Sequence, residues 1–344
     1  MSRTYSVWLK IGVVVAGLFL LSQVTSIYLP IILAVVLAFI LNPAVNLFSR
    51  FRLWPARFHI PRGLAVILAI IVALLAIGAG MFFIFFPFVA EFDRFVANLP
   101  ALLRKIQNLT GVLEARAHDM EVPEAVRAVA DHALTTAVSY ALAVGRRLLD
   151  STVGFASQVV ELVVVPVLTY YFLKDWRELK ESVVEVLPSA ARGKARLIIE
   201  EMAAVVSAYI RGQALVSIII GFLVFLGMYF LDVGYPLVLG LLATLTETIP
   251  IIGPIIGATP ALFLAYLNSP ALALKVLIFF LVIHQLENHI VVPKIMGHTI
   301  ALHPVVVIIS LLIGGQLLGV VGMILSVPVA ALLKVLLKHL WHNE

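Results

Sequence analysis

Cysteine is absent from the 344-residue chain, which excludes disulfides, thiolate nucleophiles and thiolate metal sites. Charge is scarce as well: only 12% of the residues are Asp, Glu, Lys or Arg, too few to cover a water-soluble protein of this length. Several chemistry-bearing patterns are missing too. There is no GxxxxGK[ST] loop, so the chain is not an ATPase by itself, and no GxSxG elbow, dinucleotide glycine motif or HExxH pair occurs. The expectation from these absences is a protein that is not an enzyme and that holds no cofactor and no metal.

What the sequence has in quantity is hydrocarbon. The hydrophobic set makes up 62% of the chain and the mean hydropathy is +1.10. Such a chain buries most of its apolar surface in membrane lipid. Backbone groups in a bilayer must find partners within their own segment, so the expected fold class is all-α, a polytopic transmembrane helical protein. About eight spans are expected, near residues 7–24, 27–48, 64–90, 152–173, 213–231, 236–267, 272–293 and 304–333. The charged start MSRTYSVWLK precedes an apolar run but no small-residue cleavage site, so it reads as a retained first helix. With both termini cytoplasmic, 16 of the 24 Lys and Arg residues fall on the inner side, as the positive-inside rule asks. The net charge of +5 is spread over loops beside the spans. It orients the chain in the membrane, and no nucleic-acid partner is expected.

The chain divides into three first spans (1–90), an extramembrane amphipathic helical segment (91–151), a fourth span (152–173), cytoplasmic amphipathic helices (174–212), a core with a broken helix (213–333) and a cytoplasmic tail (334–344). The amphipathic helices need a partner surface: the rest of the domain, the membrane interface or another subunit. A weak internal repeat is visible, since Pro236 and Pro304, and likewise Pro260 and Pro328, stand 68 residues apart.

The stretch Tyr235 to Gly297 is where polar groups interrupt lipid-like sequence. Residues 236–267 would run about 48 Å as one helix, against a hydrocarbon core of roughly 30 Å. Pro250, Gly253, Pro254, Gly257 and Pro260 supply a break. Broken helices at membrane depth are building blocks of transporter sites.

Three carboxylates fall inside expected spans: Glu161, Glu247 and Glu287. Such residues line an ion or substrate path, or else act as hydrogen-bonded glue between helices. On a regular helix His284, Gln285, Glu287 and Asn288 occupy one face. Glu247 shares a stripe with Gly240 and Thr244, and Glu161 with Gly154 and Gln158. The string HQLENH places His284 and His289 on different sides of a helix, which disfavours a metal and leaves an imidazole beside Glu287 for proton exchange. Gly315, Gly319 and Gly322, with Gly314 and Ser326, read as a helix-packing surface.

Four stretches in this order carry a family resemblance: PVLTYYFLKD (166–175), ETIPIIGPIIGATPA (247–261), HQLENHIVVPKIMG (284–297) and LHPVVVIISLLIGGQLLGVVGMILSVPVAAL (302–332). With these motifs the chain resembles the autoinducer-2 exporter family of bacterial membrane proteins, the PerM-like permeases. The resemblance implies export of a small polar solute such as autoinducer-2, coupled to a proton or sodium gradient. It also implies the alternative of sodium (lithium)/proton antiport. Glu247, Pro250, Gly253, Gln285, Glu287, Asn288, Pro293 and Gly297 occupy the motif positions. A passive pore or a non-transporting oligomeric scaffold is the alternative from another class. The expected partners are membrane lipid, the solute with H+ or Na+, and further copies of the chain in a homo-oligomer.

Overall fold

The computed structural model describes residues 28–50, 52–53, 58–95, 97–98, 101, 159–297 and 302–341. The expected first span at 7–24 and nearly all of the 91–151 segment lie outside the described residues. Within them the protein is an all-α membrane protein, with five helices long and apolar enough to cross a bilayer and three shorter apolar ones. The helices are α1 (Tyr28–Arg50), α2 (Arg62–Gly80), α3 (Val159–Lys174), α4 (Trp176–Glu185) and α5 (Ser189–Phe230), then α6 (Pro236–Thr246), α7 (Ile252–Asn268), α8 (Pro270–Leu286), α9 (Val292–Met296) and α10 (Pro304–Trp341). A two-residue antiparallel ladder pairs Arg52 with His59 and Leu53 with Phe58 between α1 and α2. The described residues fall into two compact units, one from 28–75 with 159–192, the other from the described residues of 76–101 and 193–341.

In the first unit small residues let helices approach. Ala34, Ala38 and Val45 of α1 and Ala65, Val66 and Ala69 of α2 are buried, and Leu173 of α3 joins their cluster. The Thr169 hydroxyl is shared between the carbonyls of Val165 on its own helix and Ala34 on α1, and Arg62 Nε donates to the Leu173 carbonyl at 2.8 Å. Helix α4 ends before Pro188, where the Arg192 side chain donates to the carbonyls of Glu185 and Leu187. A cation there satisfies acceptors that a helix C-terminus leaves open.

The second unit is organised along α5. This helix has 42 residues and measures about 63 Å, roughly twice a hydrocarbon core. Gly193 sits inside it, so the second amphipathic helix and the following span are one rod rather than two elements. Its charges stop at Arg211, and from there Val216, Ile220, Val224 and Met228 form a buried stripe. The glycines of this stripe seat its neighbours: Gly221 lies against Gly240 and Thr244 of α6, and Gly227 against Phe279 of α8.

The expected break between 236 and 267 is a reversal of direction. Gly253 abuts the Thr246 backbone and Gly257 abuts Ala243, so α6 and α7 run antiparallel as a helical hairpin. Its entrance is capped: Pro236 starts α6, and the Glu91 carboxylate accepts from Val238 N at 2.8 Å. Negative charge at a helix start meets unpaired N–H groups and the positive end of the dipole. The rings of Phe85, Phe88, Phe92 and Phe95 follow one another to Tyr235 at the same entrance.

Helix α10 also folds back. Leu318 and Gly319 leave helical geometry, and Gly314 abuts both Gly322 and Ser326. In a straight helix Gly314 and Ser326 would stand about 18 Å apart. The expected last span is therefore a second antiparallel hairpin, and Gly314, Gly315 and Gly322 pack its two arms against each other. The second arm ends at Lys338 and His339, which both engage the Glu201 carboxylate of α5.

Candidate functional site

The tip of the first hairpin is the turn Glu247–Ile251, and its geometry is strained. Ile251 has φ 69 and ψ −50, with Ile252 N bonded to the Pro250 carbonyl at 2.8 Å. This is a γ-turn with a β-branched residue at its centre, a conformation that persists only where surrounding structure enforces it. What enforces it is the pinned backbone on both sides. Gly253 N bonds the Ile249 carbonyl at 2.9 Å, and Gln213 Nε2 of α5 donates to the Glu247 carbonyl at 2.6 Å. Pro250 occupies the turn, Pro254 the first turn of α7 and Pro260 its interior.

The second half of the site comes from the end of α8. There the helix widens into a π turn, Glu287–Val291, before α9 resumes. Insertions of this kind rotate the residues that follow and are frequent at functional sites. Here the turn puts Glu287 inward at 8% exposure and leaves Gln285, Asn288 and His289 exposed. The single polar face expected for His284, Gln285, Glu287 and Asn288 is thus divided.

Glu247, at 3% exposure, meets Glu287 with their carboxyl groups within hydrogen-bond reach. Two carboxyl groups placed this close repel each other when both are charged, and a proton shared between them relieves that repulsion. His284 Nδ1 stands 3.5 Å from Glu287 Oε2, and its Nε2 is 3.1 Å from the Asn288 amide nitrogen. With that amide donating, the neutral ring carries its proton on Nδ1, facing Glu287. His289 instead turns along the helix to the Gln285 carbonyl, 3.0 Å away. Among the described residues no group of three His, Asp or Glu side chains could hold a metal ion.

The acid pair and His284 lie in a cleft of about 260 Å³. Thr246, Gly253, Pro254, Gly257 and Thr259 of the hairpin form one wall, and Ile220 and Val224 of α5 with Phe280 and Leu281 of α8 form the rest. Among the described residues no Lys or Arg lines it. Thr246 and Thr259 spend their hydroxyls on carbonyls one turn back.

The structure therefore brings Glu247, Glu287 and His284 together with the hairpin residues Gly253, Pro254 and Gly257, and joins Asn288 to His284. Gln285 contributes only its backbone carbonyl, to His289. Glu161 belongs to α3 in the first unit; its side chain and Gln158 lie outside the described residues. Gln213 was not among the expected site residues. The signal available for it was its place two residues after Arg211, where α5 loses its charges.

Comparison with known proteins identifies the family. The sequence profile of the AI-2E family transporter matches residues 9–342. YrrI of Bacillus subtilis is 27% identical over 92% of this chain and 87% of its own length. PerM of Escherichia coli K12 is 28% identical over 96% and 91%, and YhhT of the same strain 30% identical over 95% and 88%. Their names describe transport proteins or, for PerM, a permease. The apolar helices and a profile match over almost the whole chain agree: this protein belongs to the AI-2E transporter family and is a multi-pass membrane transporter.

Proposed function

We propose that the protein is a secondary transporter of the bacterial inner membrane, with both termini cytoplasmic, that exports a small polar solute of the autoinducer-2 type against an inward flow of protons. The observation that carries this reading is the Glu247–Glu287 pair, buried and in contact, in a cleft that no described Lys or Arg lines. A pair of acids that favours a shared proton when empty and releases it when a solute donates hydrogen bonds links solute occupancy to protonation. The strained tip and the π turn supply backbone elements that can change geometry as the pair changes charge.

Sodium (lithium)/proton antiport is the second reading, favoured by the same pair of acids in a cleft that no described Lys or Arg lines: an alkali cation can take the place of the shared proton. A passive pore or scaffold has no need of the pair. Proteoliposomes containing purified protein and an internal pH dye separate the three. Proton movement on addition of autoinducer-2 supports export, and proton movement on addition of sodium or lithium supports antiport. Solute entry without any proton movement removes proton coupling.

The exposed Gln285, Asn288 and His289 on an otherwise apolar helix favour a homo-oligomer that covers them, since polar side chains do not face lipid. Mass measurement of the detergent-extracted protein tests this, and a monomer rejects it.

A further inference from the structure

Two buried hydroxyls of the second unit find no hydrogen-bond partner among the described residues: Tyr209 Oη and Ser217 Oγ. Tyr209 is 5% exposed and Ser217 2%, so neither reaches bulk water or lipid. Buried polar groups are nearly always hydrogen-bonded, and a pair of exceptions on one helix calls for a cause.

Their placement supplies one. Tyr209, Gln213 and Ser217 follow each other at four-residue spacing on α5, which keeps them within about 80° of one face. Gln213 holds the Glu247 carbonyl at 2.6 Å. Two turns further along, Gly221 abuts Thr244 and Gly240. Ser217 therefore lies between the contacts that α5 makes with Glu247 and with the body of α6. Ile220 and Val224 of α5 belong to the cleft wall, whereas Tyr209 and Ser217 do not line the cleft. The polar part of the face thus approaches the carboxyl pair from outside the cleft, on the Ser189 side of the helix. Arg211 lies about 160° around α5 from both Tyr209 and Gln213, where its guanidinium donates to Ser207 Oγ at 2.7 Å.

We propose that the Tyr209–Gln213–Ser217 face of α5 is a proton route to the Glu247–Glu287 pair, separate from the cleft that admits solute. A hydroxyl accepts a proton on its oxygen as it gives up its own, so a chain of hydroxyls and bridging water passes a proton with no net change in any member. In the inward direction of proton flow the first transfer breaks the O–H bond of a Glu247 or Glu287 carboxyl, and water at the Ser189 end, the cytoplasmic side, takes up the proton. Gln213 anchors the Glu247 backbone where the route meets the pair. Separate entrances let the pair exchange its proton while solute occupies the cleft.

This inference rests on the proton-coupled reading above. The test uses the full chain in proteoliposomes with an internal pH dye, challenged with autoinducer-2 or, in a parallel arm, with lithium chloride. The Tyr209→Phe/Ser217→Ala double variant is expected to slow probe-driven proton movement about tenfold, a barrier change of roughly 1.4 kcal/mol. Exchange of labelled for unlabelled probe, which moves no net proton, should keep the wild-type rate. Unchanged proton movement, together with the higher thermal stability that deleting two unpaired hydroxyls gives, overturns the route and leaves coupling intact. Equal loss of proton movement and exchange also overturns it, because the damage then lies in the solute site. Wild-type protein that moves no proton with either probe overturns proton coupling, and the route with it.

Discussion

The side-chain amide of Gln213 donates to the main-chain carbonyl of Glu247 at 2.6 Å, so α5 holds the hairpin tip through backbone rather than through the carboxyl group. The acid side chain is left to Glu287 and the cleft. Replacing Gln213 with Leu strands a half-buried carbonyl, at a cost of about 1–3 kcal/mol. A lowered unfolding temperature is expected, with faster transport-inactivating proteolysis at Glu247–Ile251. Unaltered stability and unaltered cleavage would show that the tip does not depend on α5.

Glu287→Gln tests the pair directly. An amide is nearly isosteric and costs less to bury than a charge, so folding and membrane insertion should survive while coupled transport collapses. Stability in detergent and transport in vesicles are measured on one preparation. A stable variant with full, proton-coupled transport would take Glu287 out of the mechanism and leave Glu247 as the coupling acid.

Ile251→Gly relaxes the γ-turn at the tip. Strain of this kind amounts to about 1–3 kcal/mol, against roughly 0.5–1 kcal/mol for the added chain entropy of glycine. A net gain in thermal stability is expected, accompanied by slower transport if the strain helps the tip change state. A loss of stability would mean that side-chain packing of Ile251, which is 47% exposed, outweighs its backbone.

Gly319→Ala should damage the second hairpin. Its φ of 60 and ψ of −138 belong to a region open essentially to glycine alone, and a side chain there costs about 1–3 kcal/mol. Gly78→Ala is the control, because a Cβ at Gly78 meets nothing within 4 Å and alanine favours the helix by roughly 1 kcal/mol. Comparable yields of both variants from membranes would argue against the tight turn.

The membrane class and the broken segment were legible because they depend on composition, on helix length against bilayer thickness, and on Pro250 with Gly253. Hydropathy does not distinguish a bend from a reversal, however. The same glycines and prolines serve both, and only the contact of Gly257 with Ala243 decides for the hairpin. Gly314 and Gly322 misled in a similar way: small residues eight apart pack an outside partner in a straight helix but each other across a turn at Gly319. The face assigned to Gln285 and Asn288 assumed a regular helical period, and the π turn at Glu287 breaks that period with no marker in the residues. Gln213 was hidden because its role is to bind a backbone carbonyl, and any residue can offer one.

Helix α6 has only 11 residues, about 16 Å of rise, roughly half of what a bilayer core demands. A segment this short cannot partition from the biosynthetic machinery into lipid as an independent span. It can enter only together with α7, as a preassembled pair whose contacts at Gly253 and Gly257 close before lipid surrounds it. The carboxyl of Glu247 is thus carried into place by the helices on either side of the turn, and substitutions that open the pair should appear first as failed insertion during synthesis.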